Sequence, residues 1–403
     1  MLIGLTAIAV TCVALYFLTR ARLVGAGFWR ATATPLASII GSGFLVSVPI
    51  LRDVAGSWAV MAMAGLLLLA LAIGGAIRHN IMRVEPLLNN GNAPTTISSI
   101  ERLSHIVLAF AYFVSIAYYL VLFAAFLLKL FGNTDILAIK LIVTFCLAVI
   151  GGVGLWRGFR AVEGLEIYIV SLKLAVIAGL LAALVIYNAD LLLATGATSQ
   201  AASGHVSRGG ISVLLGLLIL VQGFETSRFL GADYAPSTRA RSMLAAQLIA
   251  SAIYIAFFTL MIAIQDNHSA DEGVAAIVDM LAPVSFLLPF LVIAGALASQ
   301  SSAAIADTLG AGGLLHSILG GRIMVRHTYP LIAFVAGIIV WETDIYALIA
   351  LASRSFALYY ALQSGIAALS AYRQNQLLGA GWYAILTAVC GTITAFGTPA
   401  EGG

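Results

Sequence analysis

Charge is scarce in this sequence: Asp, Glu, Lys and Arg make up only 9% of 403 residues, against 62% hydrophobic. A water-soluble domain carries roughly a quarter of its residues charged, so the composition excludes a soluble domain of any size. It predicts one all-α polytopic unit embedded in a lipid bilayer. The net charge of +3 is small, and the basic residues are scattered through short loops without forming a patch. Nucleic acid is therefore not an expected partner. Cysteine is also sparse: Cys12, Cys146 and Cys390 lie in apolar runs with no Cys-x-x-Cys or Cys/His spacing, and read as small core residues. The six histidines, His79, His105, His205, His268, His316 and His327, fall in loops or at the ends of apolar runs, none paired at ligand spacing. Neither a metal site nor a cofactor is expected. A membrane-embedded enzyme would need a concentrated constellation, such as His-Glu-x-x-His or clustered aspartates. The sequence has none.

Long apolar runs are what the sequence does have. They divide it into about twelve transmembrane helices: 2–18, 31–51, 58–77, 102–130, 135–155, 164–187, 211–231, 242–264, 284–308, 329–341, 344–372 and 380–396. The first is followed, not preceded, by Arg20 and Arg22, unlike a cleaved signal peptide. Every other connection collects arginines: Arg20, Arg22 and Arg30; Arg78, Arg83 and Arg102; Arg157 and Arg160; Arg228, Arg239 and Arg241; Arg322 and Arg326; then Arg373. The intervening loops carry Asp53, Asp135, Asp190, Asp266, Asp271, Glu272, Glu342 and Asp344, with Arg52 and Arg208 as exceptions. By the positive-inside rule the arginine-rich loops face the cytoplasm and both termini lie outside it. In the polar loop after the third run, Ser98 and Glu101 have capping-box spacing for the next helix.

One run is interrupted in its middle. Between Leu217 and Arg241 the apolar pattern breaks at Gln222-Gly223-Phe224-Glu225 and runs out through Asp233, Pro236 and Arg239. A carboxylate at mid-bilayer costs ~2.5–3.5 kcal/mol, and Gly costs a helix ~1 kcal/mol relative to Ala. Gly223 is therefore expected to open the helix and Glu225 to face a cavity; the alternative is a kinked helix with a structurally paired Glu225. The second run holds the other helix-breaking stretch, Gly41-Ser42-Gly43 between Pro35 and Pro49. With the leading helix set aside, the two glycine-broken helices are the first and sixth of eleven, each opening a block of five. Five is odd, so the second block inserts upside down. Interrupted helices at matching positions of inverted halves point to a transporter's central site.

These residues resemble the amino acid–polyamine–organocation transporter superfamily, with its leucine-transporter fold of five plus five inverted helices. Ile40-Gly41-Ser42-Gly43-Phe44 is similar to that family's first core helix. Gly164-Leu165-Glu166 through Lys173 resembles its fifth, and Gly223-Phe224-Glu225 with Asp233, Pro236 and Arg239 its sixth. The resemblance implies an extra N-terminal helix (1–27), a first repeat (28–187), an inverted second repeat (211–373) and a final helix with a short tail (374–403). Where many members end the eighth core helix with an Arg-Val-Leu-Tyr-like turn, this chain has Ser301 to Thr308, SSAAIADT. It also has eleven core helices where many members have twelve.

The resemblance implies a secondary active transporter, not an enzyme, moving a small polar organic solute, an amino acid or related amine, by alternating access. Opened helices present backbone groups and partial charges to such a solute. Ser38, Gly41, Ser42, Gly43, Gln222, Gly223 and Glu225 are the candidate binding residues, with back-bonding to their own helix the equal alternative for the serines. Lys173 lies ~18 Å into its helix at 1.5 Å per residue, too deep to snorkel. An equivalent lysine in proton-coupled members stands where sodium-coupled relatives hold an ion, between the first, fifth and eighth core helices. That favours a proton as coupling ion, or no coupling cation, with a permanently pinned ammonium as the alternative. Sodium is the alternative ion, with Ser301 and Ser302 as its candidate hydroxyl ligands. Arg354, ~15 Å down its helix, needs a fork-shaped acceptor; Glu225 and Asp307 are the carboxylates in reach, making it a substrate clamp or half of a helix-locking pair. Coupling or gating is thus assigned to Glu225, Lys173, Arg354 and Asp307. Tyr112, Tyr118, Tyr119, Tyr359 and Tyr360 read first as packing aromatics and second as gate or cavity lining. A bacterial plasma (inner) membrane is the expected location; oligomeric state is left open.

Overall fold

The computed structural model describes residues 2–156, 166–195, 210–231, 233–262, 264 and 275–398. Arg157, Arg160, Gly164, Leu165, His205, Arg208, Asp266, His268, Asp271 and Glu272 lie outside the described residues, as do the side chains of Ser42 and Glu166. In lipid each backbone polar group must be satisfied within its own segment, so long apolar runs become long helices. Among the described residues there is no strand. The order is α1 (Leu2–Leu18), α2 (Gly27–Ala55), α3 (Ala59–His79), α4 (Thr95–Lys129), α5 (Ile136–Trp156), α6 (Glu166–Thr195) and the short α7 (Gly210–Leu215). Two 3-10 segments follow, Leu218–Val221 and Phe224–Phe229. Then come α8 (Pro236–Met261), the short α9 (Ile277–Leu281), α10 (Leu288–Ile318), α11 (Val325–Glu342), α12 (Ile345–Arg373) and α13 (Leu377–Phe396).

Among the described residues, eight helical runs are long and apolar enough to cross a membrane. One of them, Gly27–Asn89, holds both α2 and α3, and α1 is apolar but only 17 residues long. A figure of twelve crossings stays an expectation of the apolar pattern.

Packing centres on α4, which lies against α10 on one side and α12 on the other. Its Tyr112, Tyr118 and Tyr119 are buried, and Tyr112 has Gly310 of α10 and Phe356 of α12 as neighbours. α2 runs beside α8 and touches both 3-10 segments, while α1 lies along α6. At Gly179 of α6 an added Cβ would stand 2.5 Å from the Ala7 carbonyl oxygen of α1, so the outer helix seats directly on backbone.

Two local expectations are corrected. α2 is continuous through Gly41-Ser42-Gly43 and contains both Pro35 and Pro49. Glycine lowers helix stability by only ~1 kcal/mol, which packing on both sides outweighs. Its small size is what this segment uses: a Cβ at Gly43 would lie 2.7 Å from Leu220 Cα, and one at Gly41 3.3 Å from Ala303 Cβ. The Ser98/Glu101 capping box does not form either. α4 starts at Thr95, with Pro94 in the cap position and no side-chain cap bond. Ser98 is therefore already helical, its N–H donating to Pro94 O at 3.0 Å. The loop before it is helical too, a π-turn over Asn80–Val84 leading into Glu85–Asn89.

Candidate functional site

The sixth core helix is broken where Gly223 sits. Gly223 has φ +113°, in the left-handed region that a Cβ disfavours, and Gln222 before it is extended. An L side chain here would strike Ser38 of α2. With the helical ladder interrupted, side chains take over its orphaned groups. Ile219 N–H donates to Ser353 Oγ at 2.9 Å, and Leu220 O accepts from Tyr254 OH at 2.6 Å. Gly223 N–H donates to Glu225 Oε2 at 2.9 Å.

Glu225 is fully buried. The same Oε2 accepts from Tyr360 OH at 2.7 Å, whereas Oε1 has no partner among the described residues. Phe224 stacks on the Tyr360 ring, centroids 5.1 Å apart, so the break docks onto α12 by one aromatic face and one charge-assisted bond. Gln222 is also fully buried; its Nε2 donates to Tyr119 OH of α4 at 2.7 Å. Asp307 of α10 is buried and accepts from Ser115 Oγ of α4. Tyr112 of α4 is buried, with its ring against Phe356 of α12, centroids 6.1 Å apart, and within electrostatic reach of both Glu225 and Asp307. The break thus packs on α2, α3, α8 and α12 and reaches α4 through Gln222, with Glu225 and the hydroxyls of Tyr119, Tyr254 and Tyr360 at it.

Lys173 occupies another face of α2. Its ammonium is buried and donates to Ala37 O at 2.8 Å, and a Cβ at Gly41 would lie 3.3 Å from Nζ. Ala37 and Gly41 are one turn apart and share a face, whereas Ser38 faces the break. Beside Lys173 a cavity with about 30 Å³ for water-sized occupants is lined by Gly41, Phe44, Val176, Gly295, Ser299 and Gln300, among others. That is room for a water or two. The ammonium lies between α2, its own α6 and α10, whose Gly295, Ser299 and Gln300 line the same cavity.

Other candidates fall elsewhere. Ser301 donates to Leu297 O at 2.7 Å and Ser302 to Ser299 O at 3.1 Å, so both hydroxyls are bonded back to their own helix. Arg354 does not approach Glu225 or Asp307. It is exposed, and its Nε donates to Thr394 O of α13 at 2.7 Å. α12 is apolar nearly all round, which leaves its rotation undetermined by sequence pattern; the guanidinium turned to the outer helix. Sequence pattern does not reveal the Tyr119, Tyr360 and Ser115 hydrogen bonds, because scattered tyrosines and serines in apolar helices carry nothing that separates packing from hydrogen bonding.

A long-helix scaffold around one broken helix, with buried carboxylates at the break and a buried lysine behind the first core helix, defines a secondary transporter. The APC superfamily transporter family matches residues 21–397. The chain belongs to that superfamily. It is 38% identical over 389 residues to an uncharacterised protein of Aquifex aeolicus (strain VF5), covering 96% of this chain and 93% of that one. Among solved structures it is similar to the Eremococcus coleocola manganese transporter (TM-score 0.55, 15% identity, 91% of this chain and 87% of that one). It is also similar to Mhp1, a nucleobase-cation-symport-1 family transporter (TM-score 0.55, 12% identity, 92% and 91%), and to a Na+-coupled sialic acid symporter (TM-score 0.50, 14% identity, 98% and 96%). These neighbours share the leucine-transporter fold of five plus five inverted helices. The protein is an integral membrane transporter and not an enzyme.

Proposed function

We propose that the protein moves a small polar organic solute, an amino acid or related amine, across a bacterial plasma membrane by alternating access around the break at Gly223. The observation that carries this reading is the break itself, with a fully buried carboxylate at Glu225 whose second oxygen has no partner among the described residues. An amine supplies the donors such an acceptor lacks, and the freed backbone beside Ser38 and Gln222 suits a carboxylate or amide.

The coupling ion is a proton, or the transport is cation-independent. Lys173 supports this: its ammonium stands at the junction of three helices where a cation would otherwise sit. The sodium alternative draws on Ser301 and Ser302, whose back-bonded hydroxyls would first have to leave Leu297 O and Ser299 O.

The test is thermal melting of detergent-purified protein against amino acids, amines and organic acids, each with and without sodium. A ligand of the folded state raises the melting temperature by mass action, ~2.7 kcal/mol at a hundred times Kd. Stabilisation by an amino acid or amine without sodium is expected. Stabilisation by organic anions alone would refute the solute class, and an absolute need for sodium would refute the coupling. In proteoliposomes Lys173→Ala is expected to lose proton-driven accumulation while keeping solute stabilisation; unchanged accumulation would make Lys173 a structural charge only.

A further inference from the structure

Glu101, Glu225 and Asp307 are the buried acids among the described residues, and their surroundings differ. Glu101 has a cation, with Arg228 Nη2 at 2.9 Å from its Oε1. Glu225 has the donor set of an ionised carboxylate, since Gly223 N–H and Tyr360 O–H converge on its Oε2. Asp307 has neither. Among the described residues no arginine, lysine or histidine pairs with it, and its hydrogen-bond partner is the hydroxyl of Ser115 on α4. An ionised carboxylate buried without a cation carries an uncompensated desolvation penalty of several kcal/mol. A group so placed takes up a proton instead.

The proton count at Ser115 is the second observation. Its Oγ stands within bonding distance of two oxygens, Tyr112 O at 3.1 Å and Asp307 Oδ2. A serine hydroxyl has one proton and can serve only one of them. With Asp307 ionised, the other contact would be oxygen against oxygen with no hydrogen between. With Asp307 neutral, its O–H donates to Ser115 Oγ and Ser115 donates to Tyr112 O, so both contacts hold a proton.

The groups facing Asp307 are Ser115, Tyr112 and Tyr119 from α4 and Glu225 from the break. The other neighbours of α10 meet it elsewhere. Lys173 of α6 stands by Ser299, eight residues or ~12 Å before Asp307 along the helix. α2 touches Ala303 through Gly41, and α11 sets Thr328 and Tyr329 against Gly312. The acid of α9, Asp279, is paired with Lys129. Asp307 is therefore separate from the Lys173 cavity.

We infer that Asp307 is a reversible proton-binding site. It carries its proton on Oδ2 and donates it to Ser115 Oγ. On discharge the O–H bond breaks, the proton passes to water and the bonding pair stays on the carboxylate. Use of this site as the seat of a coupling proton rests on the proton coupling proposed above; the site itself does not.

Infrared spectroscopy of protein purified in an ester-free detergent, without solute, reads the site directly. A carboxylic acid shows a C=O stretch that a carboxylate lacks and that shifts in D2O. Asp307→Asn is expected to lose this band and Glu225→Gln to keep it. The reverse pattern, or no such band in the parental protein, overturns the site. Raising the pH across the range in which the protein stays monodisperse is expected to remove the band. A band that persists throughout makes Asp307 a permanently neutral acid and overturns its reversibility. Ser115→Ala deprives the acid of its acceptor and should move the band to higher wavenumber, which keeps the site testable if Asp307→Asn fails to fold; a band at the parental position refutes the pairing. Loss of the band when sodium replaces choline would overturn the proton in favour of a sodium ion. None of these readings uses a solute, so failure here and failure of the solute reading are told apart.

Discussion

Substituting Gly223 by alanine isolates the backbone geometry on which the break depends. At φ +113° an L-residue is strained by ~1–2 kcal/mol relative to glycine. The new methyl would also lie 2.6 Å from Ser38 Cβ and 2.7 Å from Ser38 backbone carbon, contacts that require α2 or the break to shift. Overpacking of that kind costs ~1–3 kcal/mol, so Gly223→Ala should destabilise by about 2–5 kcal/mol in all. Ser38→Ala added to it removes only the hydroxyl, and most of the loss should persist because the backbone clash remains. Gly65→Ala is the control: Gly65 lies within α3 with nothing inside 4 Å of an added Cβ, so helix propensity should yield a gain of up to ~1 kcal/mol. Thermal melting of the four proteins in one detergent separates these cases. A Gly223→Ala protein that melts at or above the parental temperature would refute the argument, because the segment would then be free to adopt a right-handed conformation.

Further outcomes follow from named contacts. Tyr360→Phe removes the hydroxyl donor to Glu225 Oε2 while keeping the ring that stacks on Phe224. A bond to a carboxylate is worth ~1.5–3 kcal/mol, so solute Kd measured by calorimetry or melting should change by about tenfold or more; an unchanged Kd would detach this bond from the site. Arg354→Ala, exposed against α13, should leave uptake intact and stability within about 0.5 kcal/mol, and abolished uptake would restore it as a clamp. Glu225→Gln should abolish or uncouple transport while leaving a folded protein, and full pH-dependent uptake in that variant would remove Glu225 from the mechanism.

The break at Gly223 and the buried Lys173 were legible because each sets an expensive group within an apolar run, and such costs are visible residue by residue. The state of α2 was not. Gly41 and Gly43 suit a broken helix and a close helix contact equally well, and only the neighbours, Leu220 and Ala303, decide between them. Glu101 misled for a similar reason: its spacing from Ser98 fits a local cap, whereas its partner Arg228 lies 127 positions further along the chain. Arg354 failed on phase, since a helix apolar on most faces gives no stripe to orient it. Charges standing out from their run were thus readable, while pairings across the fold were not.

The outer helix α1 adds a constraint of another kind. It seats on α6 with Gly179 against Ala7 and Thr11, while Gly4, one turn before Ala7, meets Ser285 and Leu287. Its outward face, including Leu5, Ile8, Val13 and Phe17, is exposed and in a membrane would contact acyl chains. Any tilt of the helix that carries Lys173 must therefore sweep a 17-residue apolar cylinder through lipid. The friction on that movement comes from the bilayer, so the turnover of this transporter should follow acyl-chain fluidity more closely than it would for a core without α1.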